Sequence, residues 1–280
     1  MANDDDFALY NYDPSVAASV IFSLVFAISA VVHIWHAFFK ARAWFFTAFI
    51  IGSISQYLSH SRLVMTAGYI SRAISAKSPE SLAPYISQSL LILLPPSLYA
   101  ATIYMLYGRI VHCTKRADLS IISPTKVTKI FVVGDVIAFL LQCSGGGLMA
   151  ISGLSSTGQK VIVFGLFFQL LFFGFFLYVS VKFALRIRQA QGGFLGAPWG
   201  TLLHILFLMS SLIIFRCVYR VVEFLQGHDG YLISREVYMY LFDTLPMLVV
   251  QLLFHYWKPY KMLDYAALGK TPSFVNLHDM

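Results

Sequence analysis

The chain alternates long apolar runs with short polar joints. A membrane-spanning helix needs about 20 mostly apolar residues, and seven windows supply them, at approximately 15–39, 44–66, 84–108, 129–151, 161–185, 199–224 and 236–257. No repeat of about 20 to 50 residues is visible. The pattern predicts one all-α domain over 1–264, a polytopic bundle of seven transmembrane helices, with a polar cytoplasmic tail at 265–280 that is expected to be mobile. The first run follows an acidic "NDDD" in place of a basic segment, so a retained helix is expected there and not a cleaved signal peptide. Pro95-Pro96 predicts a bend in the third window, tolerated if hydroxyls such as Ser97 satisfy the freed carbonyls.

Composition agrees with the pattern. Of 280 residues 58% are hydrophobic and only 12% charged, a balance that a soluble fold of this size cannot bury. An integral, multi-pass membrane protein is therefore expected, and the net charge of +7 calls for no nucleic-acid partner. Cys113, Cys143 and Cys217 form no disulfide framework, and no Asn-x-Ser/Thr sequon occurs.

Lysine and arginine placement sets the direction of threading. With the N-terminus outside, Lys40, Arg42, Arg109, Lys115, Arg116, Lys126, Lys129, Lys182, Arg186, Arg188, Lys258, Lys261 and Lys270 are cytoplasmic. Only Arg62, Arg72, Lys77, Lys160 and Arg235 face outward, and this 13-to-5 ratio predicts N-out and C-in.

Against this apolar background a few polar groups stand inside the hydrocarbon. Asp135 lies roughly 9 Å into the fourth window from Lys129, and Asp243 roughly 12 Å into the seventh from Arg235. Each must face a partner or water, because an ionised carboxylate at such depth costs about 2.5–3.5 kcal/mol or more. Gln142 follows Asp135 on the same face, and Gln56, Gln169 and Gln251 add amides in other helices. Arg216, Arg220 and Glu223 share one face of the sixth window at i, i+4 and i+7, with Tyr219 beside them. Arg220 is spaced to pair with Glu223, and Arg216 is matched in depth to Asp243. These groups are either interhelical glue or the lining of an outer polar cavity. "SGGGL" at Gly145–Gly147 calls for close helix packing or an unwound segment.

His33, His36, His204 and His255 fall toward the cytoplasmic end near the depth of Asp135, a set that could hold Zn²⁺. The His33-x-x-His36 spacing is common by chance, and no metal or cofactor is expected. GxSxG, HExxH, Walker and GxGxxG patterns are absent from suitable contexts. Transport would then be passive or coupled to an ion or proton gradient, with Asp135, Asp243 and Glu223 as candidate proton carriers.

The polar signature resembles that of the fungal RTA-like, or lipid-translocating exporter, family. The resemblance is carried by "YDPS" (Tyr12 to Ser15), "GYISR" (Gly68 to Arg72), "AATIYMLYGRI" (Ala100 to Ile110), "KIFVVGDVIAFLLQCSGGG" (Lys129 to Gly147) and "GLFFQ" (Gly165 to Gln169). Above all it rests on Arg216, Tyr219, Arg220, Glu223, Gly227, Gly230, Glu236, Tyr240 and Asp243 in that order. It implies a seven-helix protein that moves lipids or amphiphiles and confers tolerance of membrane-active toxins. Two departures stand out: "LVMTAGY" lacks the Glu usual ahead of the Gly-Tyr pair, and "HYWKP" replaces a terminal His-Pro.

The expected function is translocation or export of an amphipathic lipid-like molecule, with the plasma membrane as the first expectation and an endomembrane as the alternative. The predicted binding set is Asp135, Gln142, Gln169, Arg216, Tyr219, Arg220, Glu223, Glu236, Tyr240 and Asp243, with no catalytic residue. A seven-helix receptor and an intramembrane hydrolase or cyclase are the competing classes. Ligand, direction, energy source and oligomeric state are not encoded legibly.

Overall fold

A computed structural model describes residues 83–149, 151, 153–191, 199–226, 230–232 and 236–257. The two amino-terminal windows, His33, His36 and the tail lie outside these residues, as do the side chains of Glu236 and His255. The described residues are all helical or joining: α1 (Ala83–Cys113), a 3-10 turn (Ala117–Leu119), α2 (Pro124–Met149), α3 (Ser155–Gln191), α4 (Gly200–Leu225), α5 (Glu236–Met239), a π turn (Tyr240–Thr244) and α6 (Leu245–Trp257).

These helices take up the last five sequence windows, and the boundaries move for local reasons. α2 starts five residues earlier than its window because Pro124 sits in the first turn, where its missing N–H is not needed. Ser123 precedes it at the N-cap, and its carbonyl accepts from the Lys126 and Val127 amides at 2.9 and 3.1 Å. Asp135 therefore lies eleven residues, about 16 Å, along the helix from its start. At 37 residues, α3 is about 55 Å long and overhangs a hydrocarbon core of about 30 Å. Pro95 and Pro96 fall inside α1, which runs through them as one helix. Four stretches among the described residues are long and apolar enough to cross a membrane: Pro124–Met149, Ser155–Ala190, Gly200–Leu225 and Val237–Phe254.

Contacts at the helix ends show antiparallel order. Arg186 Nη1, near the end of α3, donates to the Leu119 carbonyl at 3.1 Å, and Gln159 Nε2, near its start, donates to Phe224 O at the end of α4, at 2.9 Å. The first of these ends gathers Arg109, Lys115, Arg116, Lys126, Lys129, Lys182, Arg186 and Arg188.

The bundle is aromatic inside and aliphatic-aromatic outside. Tyr99, Tyr104 and Tyr107 of α1, Phe131 of α2 and Phe173, Phe176 and Phe183 of α3 are fully buried or nearly so. Tyr107 meets Phe176 and Phe183 edge-on at 5.6 and 5.8 Å, the orientation that the ring quadrupole favours. Val133, Leu140, Phe164, Phe167, Leu171 and Leu225 are half or more exposed from the protein, which in a spanning bundle is the lipid-facing surface. Hydroxyls in the apolar segments return to their own backbone: Thr102 to Leu98 O, Ser144 to Leu140 O, Ser180 to Phe176 O and Ser211 to Phe207 O, at 2.8–3.0 Å.

Glycine sets the α2–α3 spacing, and the triple glycine remains helical. A Cβ at Gly145 would meet Gly158 O at 2.7 Å, and one at Gly158 would meet Gly145 O at 2.6 Å, whereas Gly147 faces open space. Backbone cannot yield as a side chain can. Gly158→Ala should therefore cost about 1–3 kcal/mol, visible as a lower thermal midpoint in detergent. Gly147→Ala should be neutral or stabilising by up to about 1 kcal/mol. Equal effects at the two positions would refute this packing assignment.

Candidate functional site

Two carboxylates and two guanidinium groups meet between α4 and the π turn. Asp243 is held by both arginines. Arg220 donates from Nε to Oδ1 and from Nη2 to Oδ2, each at 3.0 Å, a forked arrangement suited to a planar carboxylate. Arg216 Nε lies 2.7 Å from Oδ1 as an ion pair, without an aligned hydrogen bond. Arg220 Nη1 also donates to Glu223 Oε2 at 2.9 Å, and the Tyr219 hydroxyl donates to Glu223 Oε1 at 3.4 Å. All five side chains are buried. The four charged groups sum to zero, which lets the set persist in an apolar surround.

The sequence spacing explains the geometry. Residues 216, 220 and 223 lie on one face of α4, and the facing strip of the last helix carries Asp243. The π turn adds a residue to the helical repeat there, a device frequent at functional positions. Phe242, in the same turn, packs against Phe215, Tyr219 and Tyr238 at 5.8, 5.5 and 6.1 Å. Tyr240 is half-buried within the turn.

The other predicted polar residues form separate pairs. Gln142 Nε2 donates to Gln169 Oε1 at 3.0 Å, linking α2 to α3 in the core. Asp135 Oδ2 accepts from the Tyr104 hydroxyl of α1 at 3.0 Å, while Oδ1 has no partner. Tyr104 was not in the predicted set. The available signal was depth, for it lies nine residues before the end of α1 and Asp135 eleven after the start of antiparallel α2. Cys217, also outside the predicted set, is buried within electrostatic reach of Arg216, Asp135 and Asp243.

Several buried atoms here are unsatisfied: Arg216 Nη2, Asp135 Oδ1, Ser210 Oγ, and Gln251 Nε2 and Oε1. Ser210 is six residues from Arg216 and Gln251 eight from Asp243, about 9 and 12 Å toward the same end of two antiparallel packed helices. Unsatisfied buried polar groups are uncommon and costly, and here they run from the charged cluster into the middle of the bundle. Among the described residues no three His, Cys, Asp or Glu side chains gather as a metal site.

A family model described as "RTA1 like protein" matches residues 58–265. The chain is 36% identical to "Protoporphyrin uptake protein 1" of Saccharomyces cerevisiae, over 90% of this chain and 92% of that protein. It is 26% identical to "Lipid-translocating exporter-like protein RTA1" of Leptosphaeria maculans, covering 90% of this chain and 51% of the relative. It is 25% identical to "Sphingoid long-chain base transporter RSB1" of Saccharomyces cerevisiae, covering 84% and 69%. No solved structure matches.

Asp243 serves two arginines and Glu223 one, so their removal should differ. Asp243→Asn leaves Arg216 without its carboxylate and should cost about 3–5 kcal/mol, with Glu223→Gln milder. Adding Arg216→Met to Asp243→Asn restores charge balance and should recover part of the loss in thermal melts. A double variant no more stable than Asp243→Asn would argue against charge pairing as the cause.

Proposed function

The chain belongs to the fungal RTA1-like family of integral membrane proteins, and from that premise we propose that it translocates an amphipathic lipid-like molecule. Relatives named as a lipid-translocating exporter-like protein and a sphingoid long-chain base transporter support the substrate class. The one named for protoporphyrin uptake widens it to flat apolar molecules with polar ends. The proposed topology is seven helices with the N-terminus outside, supported by eight basic residues gathered at one end of α1–α4. The plasma membrane is the proposed location, and tolerance of toxic amphiphiles the proposed consequence.

The observation that carries this reading is the free guanidinium edge of Arg216. The cluster neutralises its own charges, yet Arg216 Nη2 remains buried without an acceptor. A guanidinium N–H in hydrocarbon is strongly biased toward an oxygen ligand, and a headgroup hydroxyl, carboxylate or phosphate supplies one. Tyr219 and Phe242 offer aromatic surface nearby, and Tyr240 of the same π turn is assigned to the same wall. In this reading Arg216 binds the headgroup directly, while Arg220, Glu223 and Asp243 hold it in place. Gln142 and Gln169, which bond to each other between α2 and α3, are assigned a separate position in the same proposed path. Glu236 belongs to the same proposed set as an entry residue at the start of the last helix.

The decisive experiment reconstitutes the protein in liposomes and follows flip of fluorescent sphingoid-base and phospholipid probes. Arg216→Lys keeps the charge that balances Asp243 but removes the fork. It should fold normally and lower flux of the transported probe about tenfold, the equivalent of one lost charge-assisted hydrogen bond. Wild-type flux no greater than that of empty liposomes would sink the translocator reading. Undiminished flux in Arg216→Lys would remove Arg216 from the site.

A further inference from the structure

Asp135 is the buried acid among the described residues that has no basic partner. Glu223 and Asp243 are compensated by Arg220 and Arg216, whereas Asp135 has a single neutral donor, the Tyr104 hydroxyl at 3.0 Å. Its side chain is 3% exposed, and Oδ1 has no hydrogen-bond partner.

Among the described residues the surroundings are largely aromatic. From α1 comes Tyr104, whose ring is enclosed by Phe131, Phe173 and Phe176 at 5.5, 5.9 and 4.6 Å. Phe131 belongs to α2 itself, and α3 contributes Phe173, Phe176 and Phe172, whose ring lies against Gly134, the residue before Asp135. α4 contributes the buried thiol of Cys217, within electrostatic range of Asp135. About 9 Å along α2 from Lys129, the basic residue that precedes it, the carboxyl lies inside the hydrocarbon core. A lone carboxylate there with one neutral hydrogen bond is heavily penalised, and a bound proton removes the penalty.

We propose that Asp135 is the proton-binding site that couples this chain's transport to a proton gradient. The carboxyl is protonated in the buried arrangement seen here. When the core admits water from one side, the Oδ1–H bond breaks and the proton passes to water as hydronium. When water enters from the other side, hydronium returns a proton to Oδ1, and no electron changes hands. Tyr104 holds Oδ2 in both states and keeps Oδ1 as the exchanging atom. The coupling rests on the translocator reading, but the protonated state can be tested without it.

The test uses the full-length protein in two settings. In phospholipid nanodiscs, infrared spectra at neutral pH should show the C=O stretch of a protonated carboxyl, shifted by H/D exchange. Asp135→Asn should lack the band, Asp135→Glu should move it, and Asp243→Asn should keep it. Absence of the band in the wild type, or its survival in Asp135→Asn, would overturn the assignment. In liposomes an imposed pH gradient should change the flip rate of the transported probe several-fold. Asp135→Asn should make flip indifferent to the gradient. Wild-type flux that ignores the gradient overturns the coupling while supporting translocation. The band without flux of either probe supports the proton site and overturns the translocator reading alone.

Discussion

Asp243 between Arg216 and Arg220 is the contact on which the arrangement of the last two spans depends. Any one of the four charged groups alone would be untenable in hydrocarbon. Together they are neutral, and Arg220 binds both acids through separate N–H groups. That arrangement fixes the rotation of α4, because its 216–220–223 face must meet the last helix. It also fixes the axial register, because Asp243 must stand level with the guanidinium pair. Side-chain packing against lipid-like surfaces discriminates poorly between rotations, and a buried charge network discriminates strongly.

The other half of the bundle is organised by shape. α2 and α3 approach through Gly145 and Gly158, with backbone against backbone, and the Gln142–Gln169 bond falls on the same contact. The aromatic ladder of Tyr104, Tyr107, Phe131, Phe173, Phe176 and Phe183 then fills the space toward α1. The molecule thus joins a tightly packed aromatic block to a charge-locked helix pair. The unsatisfied polar atoms belong mainly to the charge-locked pair and the boundary between the two, where rearrangement exposes the fewest close-packed contacts.

Much of this was legible in the chain because membrane constraints are strong and local. The last five apolar windows become helices, and the spacing of Arg216, Arg220, Glu223 and Asp243 anticipates their pairing, since only charges able to meet can be buried together. Helix ends were less legible: α2 begins at Pro124 and α3 runs from Ser155 to Gln191, because a helix continues past the hydrocarbon at no cost. The π turn was not legible, as it depends on tertiary demand for Asp243 and not on propensity. Tyr104 was hidden for a related reason. A tyrosine in an aromatic-rich helix gives no sign that its hydroxyl is the partner of an acid 31 positions later.

The two core aspartates therefore embody opposite solutions to one electrostatic problem. Asp243 is stabilised by fixed cations, so its charge is permanent and its value is positional. Among the described residues Asp135 has been given no cation, and it is buried beside the aromatic block. A group needed only for packing would be served as well by asparagine, which satisfies Tyr104 and carries no ionisation cost. What a carboxyl adds is the capacity to exist in two charge states. In a bundle whose permanent charges are already balanced, that places the variable charge at Asp135 and the fixed ones at the Arg216 cluster.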